Sequence, residues 1–384
     1  MKTSSLIVFL ITTLLFYALI NFHIIRRGFQ ALSGMGKPRY VFLAVSLFLA
    51  LSYPAGRFAE RLWRSSLTEF FIIIGSFYIG LMIYLWLMVM TVDILRVGNI
   101  FFHFFPSFLT RHPQKAGQMA AFAVLAMAAA IVAYGHINSL HPRLKTLDLA
   151  VDKQAGGIQS LNIVLVSDIH LGKIVGNGRL EKIVKTINIF KPDLVLMPGD
   201  IVDEDFSPSS AQKMAATLQK IHAPLGVFSV TGNHEYFGGL ERNVGYLSRG
   251  KVKVLEDEAV RVSNSFYVIG RKDRTAIRFG ERRKSFKEIL EGVDSRLPLI
   301  LMDHQPLSLE EAEKNGIDLE LSGHTHNGQI FPLNLINKRV YEINWGYLRK
   351  GRTHYYVTCG VGTWGPPLRI ASHPEIVQIR IKFK

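Results

Sequence analysis

Residues 161–170 read LNIVLVSDIH, an apolar run followed by an aspartate and a histidine two residues apart. A short apolar run that ends in polar residues predicts a buried β-strand. Further runs of this kind follow along the chain, and each also ends in residues that can bind a metal ion. In chain order these ends carry Asp168 and His170, then Asp200 and Asp203, then Asn233, His234 and Glu235, then Asp303 and His304, then His324 and His326.

Segments with helical spacing lie between the predicted strands, at residues 179–190 and 211–221. Strands that alternate with helices predict an α/β core with parallel strands. Because ligands bind beyond the carboxyl ends of such strands, we expect the polar segments to meet at one crevice. Gly199, Gly232 and Gly323 stand beside them and allow sharp backbone turns.

The residue types in these segments indicate a metal site. Carboxylates combined with neutral imidazoles suit Mn, Fe or Zn. The side chains are too many for one tetrahedral ion, and they are enough for two ions that share a carboxylate. Each segment alone is weak evidence, since Asn-His pairs also occur in turns, but five in order, each after a strand, favour metal binding. The single cysteine, Cys359, excludes a zinc site built from cysteines.

These motifs resemble the calcineurin-like metallophosphoesterase superfamily, whose order is DxH, GDxxD, GNHE or GNHD, a lone histidine and GHxH. The resemblance covers roughly residues 161–384. The segments GHTHNGQIFPLN and CGVGTWGPPLRIASHPEI further resemble its membrane-associated bacterial branch, which includes the YkuE-like and YaeI-like phosphoesterases. The resemblance implies a four-layer αββα fold, a β-sandwich flanked by helices, and hydrolysis of phosphate esters by two divalent metal ions.

The resemblance also implies which residues hold the two ions, because seven positions match the ligands of the superfamily. The implied ligands of the first ion are Asp168, His170 and His326. The implied ligands of the second ion are Asn233, His304 and His324. Asp200 matches the carboxylate that bridges the two ions.

Further residues match positions near the ions. His234 is expected to contact the phosphate and to protonate the leaving group, and Asp203 and Glu235 are expected to orient ligands. Arg369, in the segment GVGTWGPPLR, is a candidate contact for a substrate phosphate. Asp303 either supports a ligand histidine or is a simple loop carboxylate, and we favour the loop interpretation slightly.

The first part of the chain has a different composition. From Met1 to Leu144 it carries 12 Lys/Arg and only 3 Asp/Glu, and a bilayer span takes about 20 apolar residues. Four apolar stretches fit or nearly fit that length, at residues 6–25, 40–55, 70–92 and 119–137, the second being marginal and closing at Pro54. We therefore expect residues 1–140 to be a multi-pass transmembrane region of about four helices, 141–157 a linker, and 158–384 the metallophosphoesterase domain.

Basic residues around the predicted spans give little guidance on orientation, since they divide seven against seven between the two sides. Around the first span they divide one against four, with Lys2 on one side. Because the first helix usually dominates, we expect both termini, and with them the catalytic domain, to be extracytoplasmic in the cell membrane.

The expected partners are a phosphate-ester substrate and the lipid bilayer, and a lipid-linked or envelope-related ester is the specific expectation. Helices in the membrane would hold the site at a high effective concentration of such a substrate. No nucleic acid is expected, because the net charge after residue 144 is only +6. Residues 271–287, with eight Lys/Arg, form either a solvated face or a patch for anions.

Two other classes of protein are possible on this sequence. The main alternative is a catalytically weak membrane scaffold or sensor that uses a phosphoesterase fold, but no ligand position is missing here. A transporter is disfavoured because the polar residues Asn21, Asp93 and His136 lie near the ends of the predicted spans.

Overall fold

The structure is a computed structural model that describes residues 3–204 and 208–384. The chain forms two compact units. The first, the helical unit, comprises Met1–Ile137 together with Gly365–Leu368. The second, the catalytic unit, comprises Asn138–Trp364 together with Arg369–Lys384.

The helical unit is built from α1 (Thr3–Ala31), α2 (Lys37–Leu62), α3 (Ser66–Phe102), α4 (Ser107–Arg111) and α5 (Pro113–Ser139). Among the described residues, α2, α3 and α5 are each long and apolar enough to cross a membrane by length and composition. Each of the four predicted spans falls within one of the long helices. The number of helices that cross the membrane stays a prediction.

The predicted end of the second span at Pro54 is wrong, because α2 continues through this proline to Leu62. A Cβ atom added to Gly75 of α3 would lie 2.5 Å from the backbone nitrogen of Tyr53. One added to Gly56 of α2 would lie 3.0 Å from the backbone nitrogen of Ile72. The two backbones therefore approach closely on both sides of Pro54, and this packing offsets the hydrogen bond that proline removes.

The catalytic unit contains two six-stranded sheets. Its elements are β1 (Arg143–Val151), β2 (Ser160–Leu165), α6 (Asn177–Ile189), β3 (Leu194–Pro198), α7 (Pro208–Leu218), β4 (Val227–Val230), α8 (Asn233–Phe237), α9 (Leu240–Arg249), β5 (Lys253–Leu255), β6 (Glu258–Val262), β7 (Phe266–Gly270), α10 (Phe286–Ile289), β8 (Leu299–Met302), α11 (Leu309–Lys314), β9 (Leu319–Ser322), α12 (Leu333–Val340), β10 (Gly346–Lys350), β11 (Thr353–Val357) and β12 (Glu375–Phe383). The first sheet has the order β1-β12-β2-β3-β4-β5, and the second has the order β10-β11-β9-β8-β7-β6.

Strand β2 shows why the predicted strands are apolar on both faces. Its residues Leu161, Ile163 and Leu165 belong to the core between the two sheets. Val164 belongs to a second core that includes side chains of α6, α7 and α9. A third core lies between the second sheet and α10 and α11. Helices therefore cover both outer faces, and the four-layer αββα fold that the resemblance implied is confirmed.

The segment expected to be a linker, residues 141–157, contains β1 and so is mostly part of the sheet. Strand β1 pairs in parallel with β12, with Arg143 opposite Glu375 and Val151 opposite Phe383. Leu149 and Val151 are buried in the core between the sheets. Alternation of apolar and polar residues across LKTLDLAV was the overlooked signal, because it is typical of a strand with one buried face.

Candidate metal centre

The polar segments lie at corresponding ends of the two sheets. Strands β2, β3 and β4 run parallel in the first sheet, and β8 and β9 run parallel in the second. Parallel strands present their carboxyl ends at one edge. The segments that follow these strands therefore converge, although they come from two sheets rather than from one.

The backbone at this edge is strained at most of the expected ligands. Positive φ angles of 50° to 69° occur at Asp168, His170, Asp200, His324 and His326. A non-glycine residue in this region costs on the order of 1 kcal/mol or more, and such strain persists where surrounding structure enforces it. Five such residues in one region indicate a functional site.

One group of side chains, the first ligand cluster, consists of Asp168, His170 and His326, which are all buried. The Nε2 atoms of His170 and His326 lie 3.1 Å apart. His326 Nε2 lies 3.4 Å from Asp168 Oδ1. These are the three residues expected to hold the first ion.

The second ligand cluster consists of Asp200, His304 and His324, with Asn233 beside them. His304 Nε2 is its centre, at 3.1 Å from Asp200 Oδ2 and 3.3 Å from His324 Nδ1. The same nitrogen lies 3.3 Å from Asn233 Oδ1. The structure therefore brings together the residues expected to hold the second ion.

Asp200 stands between the two clusters. Its Oδ2 atom, which is 3.1 Å from His304, is also 3.9 Å from His170 Nε2 in the first cluster. Its Oδ1 atom accepts a hydrogen bond of 2.9 Å from the backbone N–H of His234. Burial alone would raise the pKa of Asp200, but His304 and His234 hold it well below its usual value, so the side chain is a carboxylate.

The spacing of these atoms fits divalent ions. Nitrogen and oxygen ligands stand about 2.0–2.2 Å from a zinc ion, so ligands in neighbouring positions are about 3 Å apart. The separations of 3.1 to 3.4 Å within the clusters are of that size. In addition, Asp168 Oδ2 is buried and has no hydrogen-bond partner in the part of the chain that the structure describes. A buried carboxylate oxygen without a donor is satisfied by a bound cation.

The two histidines of the second ligand cluster differ in protonation. His304 Nδ1 donates to the backbone oxygen of Pro198 over 2.8 Å, so Nε2 faces the cluster. Burial alone would lower the pKa of His304, but Asp200 raises it well above its ordinary value, so a metal ion would displace the Nε2 proton. Burial, and then the neighbouring His304, lower the pKa of His324 to about 4. The His324 ring is therefore neutral at pH 7, as a ligand must be.

His234 lies beside the first ligand cluster, with its ring 4.6 Å from that of His170, and these two residues with Asp203 form a third group that could hold an ion. His234 Nδ1 lies 2.7 Å from Asp203 Oδ1 and donates a hydrogen bond to that carboxylate. Burial by itself lowers the pKa of His234, but Asp200 and Asp203 outweigh it and raise the pKa to about 9. The ring is therefore protonated at neutral pH, and Nε2 carries a proton that a leaving group could take.

Glu235 holds the backbone of the loop after β3. Its carboxylate accepts from the N–H groups of Asp200, Ile201 and Val202 at 3.1, 2.8 and 3.0 Å. It also accepts from the N–H of Gly232 at 2.7 Å. One side chain thus fixes the loop that carries Asp200 to the loop that carries Asn233. Asp203 and Glu235 both lie where residues that orient ligands are expected.

Two glycines are required by close approach. A Cβ atom on Gly199 would lie 2.6 Å from His304 Nδ1. One on Gly323 would lie 2.2 Å from Asp168 Oδ2. Contacts this short do not occur, so any other residue at either position would displace a ligand.

Arg369 does not face an open pocket. It is fully buried, and its guanidinium donates to the backbone oxygens of Gly362 and His326 at 2.7 and 3.0 Å. Its Nη2 also lies 2.9 Å from His326 Nδ1. This placement gives no support to the expected contact with a substrate phosphate. Instead Arg369 contacts the ring of an expected ligand, a role that sequence reasoning missed.

Asp303 is neither a loop carboxylate nor a partner of a ligand histidine. It is buried, and its Oδ2 pairs with Arg283 and, at 3.4 Å, with Arg271. Arg271 also pairs with Glu311 at 3.2 Å. Part of the basic segment 271–287 is therefore used inside the fold, because it neutralises a buried acid. We call Asp303, Arg271 and Arg283 the arginine cluster.

Comparison with known proteins agrees with this geometry. A family profile for calcineurin-like phosphoesterases matches residues 161–328. A metallophosphoesterase of Aquifex aeolicus is 34% identical over 255 residues, which are 66% of this chain and 96% of that protein. The chain belongs to the calcineurin-like metallophosphoesterase family. It is accordingly a phosphoesterase, a hydrolase, as the motifs indicated.

Other relatives match the chain over similar lengths. A transmembrane protein with metallophosphoesterase domain from Danio rerio is 33% identical over 273 residues, which are 67% of this chain and 62% of that protein. The metallophosphoesterase YkuE of Bacillus subtilis is 28% identical over 288 residues, 71% of this chain and 98% of that protein. Together with the three apolar helices, these likenesses indicate that this metallophosphoesterase is associated with a membrane.

Proposed function

We propose that this metallophosphoesterase hydrolyses a phosphodiester, pyrophosphate or phosphomonoester bond of a membrane-lipid or envelope-related substrate with two divalent ions. The observation that carries the proposal is the pair of ligand clusters joined by Asp200. Asp168, His170 and His326 would hold one ion, and Asn233, His304 and His324 the other. Mn, Fe and Zn all suit this mixture of carboxylate, amide and imidazole.

Different residues have different roles in such a reaction. Two ions held by these residues would supply a nucleophile at neutral pH and polarise a phosphoryl oxygen. His234, protonated and held at Nδ1 by Asp203, donates its Nε2 proton to the leaving oxygen. Arg369 and Glu235 keep the ligand loops in place and do not contact the substrate.

Exposed apolar side chains beside the site support a substrate with an apolar part. The rings of Trp364 and Phe237 each lie 5.9 Å from the ring of His234, and Trp364 is 53% exposed. On α12, Ile336 and Val340 are 55% and 60% exposed. A patch of this kind next to a polar centre is typical of a site for an amphiphilic ligand.

Helix α12 is joined directly to the ligand loop. The side-chain amide of Asn337 donates to the backbone oxygen of Thr325 over 2.7 Å, and Thr325 stands between His324 and His326. A Cβ atom on Gly328 would lie 2.3 Å from the backbone of Asn334. Contact of α12 with a lipid would therefore affect the positions of His324 and His326.

The membrane arrangement that we propose is multi-pass, with the catalytic unit on the extracytoplasmic side. It is supported by the length of the apolar helices α2, α3 and α5 and by the basic residues around α1. A catalytically weak scaffold or sensor is the second candidate. The complete set of ligand residues favours the enzyme.

The test is hydrolysis by the full chain in detergent with added Mn, using bis-p-nitrophenyl phosphate beside p-nitrophenyl phosphate. We expect Asp200→Asn to lose turnover by about 10³-fold or more, because it would disturb both ions. Asp148→Asn, at an exposed aspartate of β1, is the matched control and should retain full turnover. Cleavage of the monoester alone would make the enzyme a phosphatase. Absence of both turnover and bound metal would favour the scaffold.

His234→Ala tests the proton donor in the same assay. Its turnover should fall by about 10²–10⁴-fold, the usual contribution of a general acid, while two metal ions per chain remain bound. Loss of metal in this variant would show instead that His234 is a ligand.

A further inference from the structure

Helices α1, α2, α3 and α5 enclose an apolar pocket at one end of the helical unit. Its walls include Leu32 of α1, Phe42 of α2, Leu85 and Val89 of α3, and Leu125 of α5. The cavity volume is about 110 Å³. The apolar walls would favour part of a hydrocarbon chain over water.

The pocket has a charged end. Arg27, Asp93 and Arg96 line it there. Asp93 Oδ2 accepts from Arg27 Nε at 2.8 Å and lies 2.9 Å from His23 Nε2. Arg96 Nη1 is 3.9 Å from Asp93 Oδ1, and its side chain is 44% exposed. Two arginines therefore share one carboxylate, which leaves this end with a net positive charge even when His23 is neutral.

The two ends of the pocket are separated along α3. From Asp93 to Leu85 the helix rises about 12 Å, at about 1.5 Å per residue. Between Leu85 and Asp93, the residues of α3 that line the pocket are apolar. Helix α5 contributes the small residues Gly117, Ala120 and Ala121. The pocket is therefore amphipathic, with a cationic mouth and a hydrocarbon interior.

We propose that this pocket binds an anionic lipid, with one hydrocarbon chain between the helices and its phosphate at Arg27 and Arg96. Charged residues within apolar helices are costly and usually mark a site of function. Arginine binds phosphate through several parallel N–H donors, and the surplus positive charge here matches a phosphodiester with a single negative charge. The proposal depends on the membrane association of these helices and not on the hydrolysis proposed for the catalytic unit.

Gly117 allows the interior of the pocket to be tested without a clash. A Cβ atom on Gly117 would have ordinary contacts only, at 3.8 Å from Arg96 Nη2 and 3.9 Å from Ala31 Cα. Leucine at this position would fill the pocket. Gly98 of α3 is the matched control, since its Cβ atom would also have ordinary contacts, at 3.6 Å from Phe104, and it does not line the pocket.

The experiment is native mass spectrometry of the full chain in detergent, titrated with phosphatidylglycerol or with phosphatidylcholine of the same acyl chains. We expect phosphatidylglycerol to bind about tenfold more tightly, the usual gain from charge-assisted hydrogen bonds. Gly117→Leu should lose both lipids, whereas Gly98→Leu should bind as the unmodified chain does. Arg96→Gln should keep the lipid and lose the preference, whereas Arg61→Gln, at an exposed arginine of α2, should keep the preference.

Three results would overturn the proposal. They are equal affinity for the two lipids, unchanged lipid binding in Gly117→Leu, and displacement of the lipid by inorganic phosphate at equal concentration. The last result would mean that the site takes the phosphate alone. Metal content, measured in the same preparations, reports on the catalytic unit separately, so failure of the proposed hydrolysis cannot be mistaken for failure of lipid binding.

Discussion

Asp303 and His304 are neighbours after β8, yet they belong to two buried charge clusters of opposite kinds. Asp303 pairs with Arg271 and Arg283, two cations that the fold itself supplies, although burial still raises the pKa of Asp303. His304 faces Asp200 in a cluster where imidazoles, an amide and a carboxylate meet. The cations of the first arrangement come from the chain, and those of the second would be ions from outside.

The arginine cluster is where we expect the largest loss of stability. Asp303→Asn would leave two buried guanidinium groups short of a counter-charge and should lower the free energy of unfolding by about 3 kcal/mol. Arg271 keeps Glu311, which limits the loss. The folded fraction should bind metal as tightly as the unmodified chain, because Asp303 does not belong to either ligand cluster.

The matched variant in the first ligand cluster is Asp168→Asn. Burial, reinforced by the Asp200 carboxylate, raises the pKa of Asp168. Removal of this carboxylate should therefore not lower the free energy of unfolding of the metal-free protein. It should reduce only the additional stability that bound metal provides. Denaturant unfolding of both variants, with metal and with chelator, checks this. If Asp303→Asn loses stability only when metal is present, the contrast between the clusters fails.

This contrast also explains what could be predicted from the sequence. The candidate ligand residues could be identified because each follows an apolar strand in a fixed order, and that pattern is local. Arg271 and Arg283 lie far from Asp303 along the chain, so their pairing depends on how β7 and β8 meet and no local pattern reveals it. Arg369 was misread for the same reason, since a conspicuous arginine near a site gives no indication of whether it faces inward or outward.

The fold was predictable to a similar degree. The motif resemblance gave the two-sheet architecture, and apolar runs located the strands that carry the site. Strand β1 was missed because it precedes the motifs and pairs with β12, the last strand of the chain. Continuation of α2 through Pro54 depends on contact with α3, so it follows from packing rather than from the local effect of proline.

A smaller effect is expected at Arg369, a buried arginine that contacts the candidate metal centre. Arg369→Gln removes the donors to the backbone oxygens of His326 and Gly362 and should weaken metal binding at the first ligand cluster by about 10–100-fold, the usual cost of losing a group that positions a ligand. Binding at the second cluster should change little. Metal titration by calorimetry distinguishes the two sites.

Two control variants sharpen that test. Arg369→Lys should recover part of the affinity, because it restores a donor, and Arg349→Gln, at an exposed arginine of β10, should have no effect. Equal weakening of both sites would mean that Arg369 supports the fold in general. In that case Arg369 would not be a positioning residue for the first ligand cluster.

The smallest effect concerns Glu320 of β9, which is buried near the arginine cluster. Burial, and then Asp303, raise the pKa of Glu320 well above its ordinary value of 4.5, and Arg271 and Arg283 oppose this only in part. A group whose pKa is raised by folding favours the folded state below its ordinary pKa, and this advantage is lost as pH rises through the folded pKa.

Glu320→Gln should therefore unfold like the unmodified chain at pH below 4.5 and become relatively more stable as the pH increases. Glu258→Gln, at an exposed glutamate of β6, provides the baseline for thermal unfolding across the same pH range. A pH-independent difference at Glu320 would indicate that the arginines hold two carboxylates in ionised form. Asp303 and Glu320 would then both be ionised beside Arg271 and Arg283. The arginine cluster and the metal centre would bury similar negative charge and would differ only in the cations that neutralise it.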